Sequence, residues 1–81
     1  MLKKVRDYIE DNEFRLTLFT NRVHIINYKE ILSLEEKRIS LITENKRIVL
    51  KGEKLLLHKL LEKEVLINGN IKTIEVEDYG K

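Results

Sequence analysis

The sequence predicts an all-β fold: a small antiparallel β-sandwich-like meander of about seven to eight short strands, preceded by a short N-terminal helix. From Glu13 onward, apolar and polar residues alternate with the period of two that is typical of a strand with one buried face. Asn, Gly or acidic pairs interrupt this alternation about every 8 to 9 residues, as expected for short antiparallel strands. No interruption is long enough to hold the crossover helix that parallel strands need.

The N-terminal segment differs from everything that follows it. Leu2, Val5 and Ile9 fall at helical spacing, with Lys and Arg residues between them. A helix this short is not stable in isolation, so we expect it to dock on the β-domain or on another protein. The domain boundaries that we expect are a short amphipathic helix over residues 1–12, a single β-domain over residues 13–78 and a C-terminal tail over residues 79–81.

The predicted strands follow one another along the rest of the chain. They are the segments FRLTLF, RVHIIN, KEILSLE, KRISLIT, KRIVLKG, KLLLHKL, KEVLING and NIKTIEVE. Their many Ile and Val residues fit the pleated surface of a sheet. Turns are expected at Thr20-Asn21, Glu35-Glu36, Glu44-Asn45, Gly52-Glu53 and Asn68-Gly69. The last of these, an Asn-Gly pair between two alternating segments, predicts a two-residue hairpin turn.

Two other interpretations of the β-region stay open at this point. The segment KGEKLLLHKLLEKE can also form a helix with Leu56, Leu60 and Lys63 on one stripe, although Gly52 before it and Val65 after it favour strand, turn and strand. The near-equal spacing of apolar residues also permits a β-solenoid-like stack as the alternative architecture.

Composition limits the classes of protein to which the chain can belong. It has 81 residues, which is the size of one domain, and no Cys, which excludes disulfides and thiolate metal sites. Its 42% of hydrophobic residues is too high for a disordered chain, and a net charge of +2 gives no strong electrostatic argument for binding nucleic acid or anionic lipid. No apolar run approaches the roughly 20 residues of a membrane-spanning helix, and no apolar stretch of a secretory signal follows the basic start. We therefore expect a cytoplasmic location, with any membrane association made through a partner.

Residues that carry chemistry are few and scattered. His24 and His58 are the two histidines, and each alternates with apolar neighbours in a β-segment without nearby carboxylates at ligand spacing. Ser33 and Ser40 are the two serines, and neither lies in a G-x-S-x-G elbow. The three glycines form no phosphate-binding loop. We therefore predict a protein that is not an enzyme and that has no catalytic, cofactor-binding or metal-binding residues and no cofactor.

Apolar residues out of phase with the core indicate a contact surface instead. The candidate interaction surface consists of Phe19, Ile26, Tyr28, Ile42 and Leu56. Two packed layers would bury some of these side chains and leave the others as a patch for a protein partner. The edges of a sheet of short strands also make self-association an expectation.

The alternative function is a small nucleic-acid-binding β-barrel. Such a barrel stacks bases on exposed aromatic rings beside cations. The residues that would serve are Arg15, Arg22, Arg38 and Arg47, with Phe14, Phe19, Tyr28 and Tyr79. Phe14 is expected in the core by its phase, and Phe19 and Tyr28 carry no RNP-like or cold-shock-like pattern, so we regard nucleic acid as an unlikely partner.

Three stretches of the chain match the pattern of a known family. They are VHIINYKEILSLEEKRISLIT, then RIVLKGEKLLLHKL, in which Gly52 precedes an apolar triplet, and last EVLINGNIKTIEV. Over residues 13–77 the sequence resembles the YabP/YqfC family of sporulation proteins. The resemblance implies a compact β-sandwich-like domain that is made in the mother cell and helps to build the spore envelope. It also implies a membrane-embedded sporulation protein as partner, and no established catalytic residues.

Overall fold

The computed structural model describes residues 13–79, which form six antiparallel strands in one sheet. The strands are β1 (Arg15–Phe19), β2 (Arg22–Ile26), β3 (Glu30–Leu34), β4 (Arg38–Ile42), β5 (Lys46–Leu60) and β6 (Glu64–Asp78). The all-β antiparallel class is therefore confirmed, and within residues 13–79 there is no helix. The predicted N-terminal helix falls on residues 1–12, outside the described part of the chain.

The strand order is β1-β2-β6-β5-β4-β3, which is not the simple meander that the sequence predicted. The chain leaves β2 through residues 27–29 and starts β3 at the opposite end of the sheet. In this link the Asn27 N–H donates to the Lys63 carbonyl at 2.6 Å and the Lys29 N–H donates to the Ile42 carbonyl at 2.8 Å. The hairpin of β1 and β2 therefore pairs with β6 through β2. The alternative of a β-solenoid-like stack is wrong, because the strands form one sheet of antiparallel pairs.

The predicted strand count is wrong because β5 and β6 are twice as long as expected. Each has 15 residues and continues through a predicted turn, Gly52-Glu53 in β5 and Asn68-Gly69 in β6. The segment KGEKLLLHKLLEKE is strand up to Leu60 and not helix. A straight strand of 15 residues would be about 50 Å long. The longest extent of the domain is 43 Å, so both strands bend.

The bend occurs where extra residues interrupt the pairing of β5 with β6. Lys51 faces Thr73 but Gly52 faces Ile71, so one residue of β6 is left over between the two pairs. A second shift lies between Glu53 and Leu56 of β5. Here Lys54 has a φ of 53° and Gly69 has a φ of 136°. Such bulges bend a strand and increase its twist, and glycine tolerates the backbone conformation that Gly69 requires.

The bend folds the sheet over one core. The first half of the sheet comprises β1, β2, residues 56–60 of β5 and residues 64–68 of β6; the second half comprises β3, β4, residues 46–51 of β5 and residues 73–78 of β6. Both halves contribute to one buried cluster, whose members are Val23, Ile25, Val65 and Ile67 from the first half, Ile39, Leu41, Ile48 and Leu50 from the second half, and Leu55 at the bend.

The bulges keep the apolar side chains of both halves on the inner side. On β6 the core residues Val65 and Ile67 have odd numbers, whereas Ile74, which packs against the same core, has an even number. The extra residue between Ile71 and Thr73 causes this change of phase. The opposite face of each half is consequently free to carry a different surface.

Candidate interaction surface

One face of the first half points away from the core and carries two rows of side chains. Residues paired across strands point to the same side of a sheet, so the pairing register identifies the members of each row. The first row contains Phe19, Arg22, Asn68 and Leu56. The second row contains Thr17, His24, Leu66 and Lys59. These eight residues are called the outer face below.

The outer face leaves large apolar side chains in solvent. Phe19 is 52% exposed and Leu56 is 63% exposed, although they lie on strands whose other side faces the core. Leu66, in the second row, is half-buried. A depression of about 340 Å³ runs between Phe19 and Leu61 and is lined by Phe19, Arg22, His24, Lys59, Leu61, Glu64, Val65 and Leu66. A second depression, of about 460 Å³, lies beside the turn between β1 and β2 and shares Phe19 and Arg22 with the first.

Two polar contacts between β2 and β6 fix side chains on this face. The Arg22 Nε donates a hydrogen bond to Asn68 Oδ1 at 3.0 Å, directly across the two strands. His24 Nε2 lies 3.1 Å from Glu64 Oε1, and this pair is half-buried in the first depression. Arg22 and His24 therefore have defined positions beside the exposed apolar groups.

The outward side of the second half differs in its charge pairing. There Lys51 Nζ lies 3.3 Å from a carboxylate oxygen of Glu75, and Arg47 lies 3.6 Å from one of Glu77. Arg47 also stacks over the Tyr79 ring, 5.9 Å from its centroid. Each of these cations is matched by a carboxylate of the neighbouring strand.

The cations of the outer face lack such partners within residues 13–79. No carboxylate of the described residues lies within 4.0 Å of a cationic nitrogen of Arg22 or Lys59. The first half thus combines positive charge with exposed apolar surface, whereas the second half is close to internally neutral.

The described residues contain little that points to catalysis at this site. His24 and Glu64 form the only imidazole–carboxylate contact among residues 13–79, and the residues that line the first depression include no Ser, Thr or Cys beside it. In the same part of the chain, no three side chains of His, Cys, Asp or Glu converge as metal ligands would. Nor does any helix in this part of the chain have the length and apolar character needed to cross a membrane.

The structure brings together three of the five residues of the predicted interaction surface. Phe19 and Leu56 lie in the first row of the outer face, and Ile26 lies on the same side of β2, half-buried. Ile42 is only 9% exposed on β4 in the other half of the sheet. Tyr28 packs against the core, and its hydroxyl donates to the Leu61 carbonyl at 3.0 Å. Tyr28 thus connects the link between β2 and β3 to the turn between β5 and β6 through this hydrogen bond.

The sequence interpretation missed Leu66, Lys59 and Asn68 as members of this surface. Leu66 lies between Val65 and Ile67, which both face the core, and this phase is the signal that could have placed it outside. Lys59 faces Leu66 only because an extra residue shifts the register after Leu57. That shift has no signal in the sequence.

The cation–aromatic set for nucleic acid is distributed over both halves of the sheet. Arg15 and Arg22 belong to β1 and β2, whereas Arg38 and Arg47 belong to β4 and β5. Phe14 packs against the core. The structure therefore does not gather these residues into one groove.

Comparison with known proteins gave one match. The sequence model of the YabP family matches residues 11–81, which include all six strands. The predicted resemblance to the YabP/YqfC family is thereby confirmed. No curated protein and no solved structure matches the chain.

Proposed function

The chain belongs to the YabP family, and from this membership we propose that it is a non-enzymatic sporulation protein. It acts as an assembly or adaptor module in the formation of the spore envelope. It works in the cytoplasm of the mother cell and reaches the membrane by binding a membrane-embedded partner protein. The observation that carries this proposal is the outer face, where Phe19 and Leu56 are exposed beside Arg22 and Lys59.

The exposed apolar side chains supply the affinity of this contact. Full burial of a Phe or Leu side chain stabilises a complex by about 1.5–3 kcal/mol, and Phe19 and Leu56 each keep about half or more of that area free. Aromatic side chains and Arg are also enriched among the residues that dominate binding energies. Phe19 and Arg22, which are cross-strand neighbours at the rim of both depressions, are therefore the expected anchors.

The cations supply the selectivity of the contact. Arg22 and Lys59 have no carboxylate partner among the described residues, and complementary charge raises association rates and disfavours wrong partners. The partner segment should therefore combine carboxylates with apolar side chains. The first depression, which His24 and Glu64 line, also offers space for one of those side chains.

Genetic complementation in an endospore-forming bacterium tests this function. Deletion of the gene that encodes the chain should abolish or severely reduce heat-resistant spores, and the native gene should restore them. A variant with Phe19→Ser and Leu56→Ser should fail to restore spores, because it removes both apolar anchors without touching the core. Normal heat-resistant spores from the deletion strain would contradict the sporulation function.

Val76→Ser is the matched control for this experiment. Val76 is 48% exposed, like Phe19, but lies on β6 in the second half of the sheet. The gene that encodes the Val76→Ser variant should therefore restore spores as well as the native gene does. Circular dichroism of the purified variants checks that each retains its β-structure. Equal failure of the control and of the outer-face variant would show that the outer face has no special role.

Co-purification from detergent-solubilised membranes of sporulating cells tests the adaptor role separately. The native chain should retain one membrane protein in stoichiometric amount, and Arg22→Glu with Lys59→Glu should lose it. Retention of that protein by the charge-reversed variant would contradict a contact through the outer face, even if the spores are defective.

A further inference from the structure

Within residues 13–79, β1, β3 and the far ends of β5 and β6 are paired on one side only. Natural sheets protect such edges against further strand pairing with charged side chains or bulges. Most of these edges carry that protection. A register shift interrupts β3 between Ile31 and Ser33, residues 56–60 of β5 contain another shift, and residues 73–78 of β6 include three carboxylates.

The β1 edge has neither kind of protection along its length. Its five residues pair with β2 without a register shift, and its one charged side chain is that of Arg15, at the first position. Leu18 points to the same side of β1 as Leu16, which packs against the core, yet Leu18 is 55% exposed. The described elements therefore leave room beside β1 for a further strand.

The backbone groups of β1 that point away from β2 belong to Leu16 and Leu18. Alternate residues of a strand in an antiparallel sheet form their hydrogen bonds to opposite neighbours. The Asn27 N–H donates to the Lys63 carbonyl, so the odd-numbered residues of β2 bond to β6 and the even-numbered ones bond to β1. The even-numbered residues of β2 face the odd-numbered residues of β1. Leu16 and Leu18 are thus left with N–H and C=O groups that point outward from the sheet.

These backbone groups match those of a second copy of β1 that is related to the first by a two-fold axis at Thr17. In this register all five residues of the strand are paired. Leu16 lies opposite Leu18 of the second copy, so their outward backbone groups bond to each other and their apolar side chains are in contact. Moving the axis by one residue would pair fewer residues and would place Leu16 or Leu18 opposite a residue outside the strand.

The side chains on the other side of β1 are complementary in the same register. Arg15 lies opposite Phe19 of the second copy, and a guanidinium over an aromatic ring is an attractive contact. Thr17 lies opposite Thr17 of the second copy, on the axis. Because the axis relates one edge to itself, this pairing depends on β1 alone and not on the bend of β5 and β6.

We propose that the chain forms a symmetric dimer in which β1 of one copy pairs antiparallel with β1 of a second copy. Both copies use the same surface, so the association closes at two copies. Outward side chains pair with outward side chains, and the outer faces of both copies therefore lie on the same side of the dimer. Each Phe19 then lies beside Arg15 of the other copy. The dimer is independent of the proposed sporulation function, since it concerns the purified chain alone.

Charged substitutions at Thr17 test the position of the two-fold axis. Sedimentation equilibrium of the native chain should give a mass that rises with concentration to that of a dimer and no further. Thr17→Asp or Thr17→Lys alone sets like charges opposite each other and should raise the dissociation constant of the dimer about fivefold. An equimolar mixture of the two variants sets unlike charges opposite each other and should restore association. Thr73→Asp makes the same change at an exposed threonine in the second half of the sheet and should dimerise as the native chain does.

Cysteine cross-linking tests the same register without added charge. The chain contains no cysteine. Facing residues of antiparallel strands that do not exchange hydrogen bonds have Cα atoms about 4.5 Å apart, which is within the range of a disulfide. Thr17→Cys should therefore form disulfide-linked homodimers under mild oxidation, whereas Thr73→Cys should remain monomeric on a non-reducing gel. Circular dichroism checks that each variant keeps its β-structure.

Three results would overturn the symmetric dimer. The first is a native chain that stays monomeric at the highest soluble concentration, which would leave the β1 edge to residues 1–12 or to another protein. The second is native association that continues beyond a dimer, because an isologous contact closes at two copies. The third is equal behaviour of the Thr17 and Thr73 variants, either in their dissociation constants or in their cross-linking.

Discussion

Replacement of Gly52 by alanine should severely destabilise the domain, because the bend of β5 brings two backbones together at this residue. Gly52 lies opposite Ile71 at the register shift. A Cβ at this position would overlap the carbonyl oxygen of Asn70 and lie 3.0 Å from the Cα of Ile71. Both contacts are to backbone atoms, so no side-chain rotamer relieves them and the two strands must separate.

The expected loss is a large fraction of the total stability. Overpacking of a close contact costs about 1–3 kcal/mol, and a backbone-to-backbone clash belongs at the upper end of that range. A domain of this size has a free energy of unfolding of roughly 4–12 kcal/mol. A loss of about 3 kcal/mol should lower the Tm by roughly 12–24 °C.

Urea unfolding followed by circular dichroism measures this effect. Gly69→Ala should also destabilise, because Gly69 has a φ of 136° and a Cβ there would lie 2.8 Å from the Lys54 carbonyl oxygen. Lys72→Ala is the control, since Lys72 is exposed at the neighbouring bulge and its replacement should change the free energy of unfolding by less than about 0.5 kcal/mol. If Gly52→Ala unfolds within that same margin of the native chain, the close approach of the strands is refuted.

Two further predictions concern the core and one surface ion pair. Ile25→Ala should lower the free energy of unfolding by about 2–5 kcal/mol, because Ile25 is fully buried, whereas Leu60→Ala, at a half-exposed position, should cost well under half of that in the same urea assay. The Lys46 ammonium donates a hydrogen bond to Asp78 and attracts its carboxylate, which lowers the pKa of Asp78 below its usual 3.8. The stabilisation from this pair is present above the unfolded pKa and is lost as the pH falls through the lowered folded pKa; a carbon-13 NMR titration should show the low pKa, and Lys46→Met should return it to the usual value.

The sequence predicted the class of the fold because alternation is a local signal. The turns at Thr20-Asn21, Glu35-Glu36 and Glu44-Asn45 all separate strands as expected. The Asn68-Gly69 prediction failed because glycine serves equally at a hairpin turn and at a bulge inside a strand. Which of the two occurs depends on the β5 backbone that packs against Gly69, and that contact is not local in sequence.

The outer face was only partly predictable for a related reason. Phase within a strand identifies which residues point away from the core, and it placed Phe19 and Leu56 correctly on the exposed side. Phase does not show whether an outward-pointing side chain is exposed or buried. The predicted interaction surface therefore also included Ile42, which is buried in the other half of the sheet. Register shifts then decide which residues are neighbours, as they do for Lys59 and Leu66.

The same two strands build both outward surfaces, and the bend allows these surfaces to differ. Before the bend, β5 places Arg47 and Lys51 beside Glu77 and Glu75 of β6, so the charges are matched within the domain. Such exposed pairs stabilise the fold only slightly but leave no strong attraction for another molecule.

Beyond the bend, β5 places Leu56 and Lys59 opposite Asn68 and Leu66 of β6. Among residues 13–79 no carboxylate lies within 4.0 Å of the Lys59 ammonium, and Leu56 is 63% exposed. Attraction that is not satisfied inside the domain is available to a partner. The placement of charge along β5 and β6 therefore favours the first half of the sheet as the side on which the proposed partner would bind.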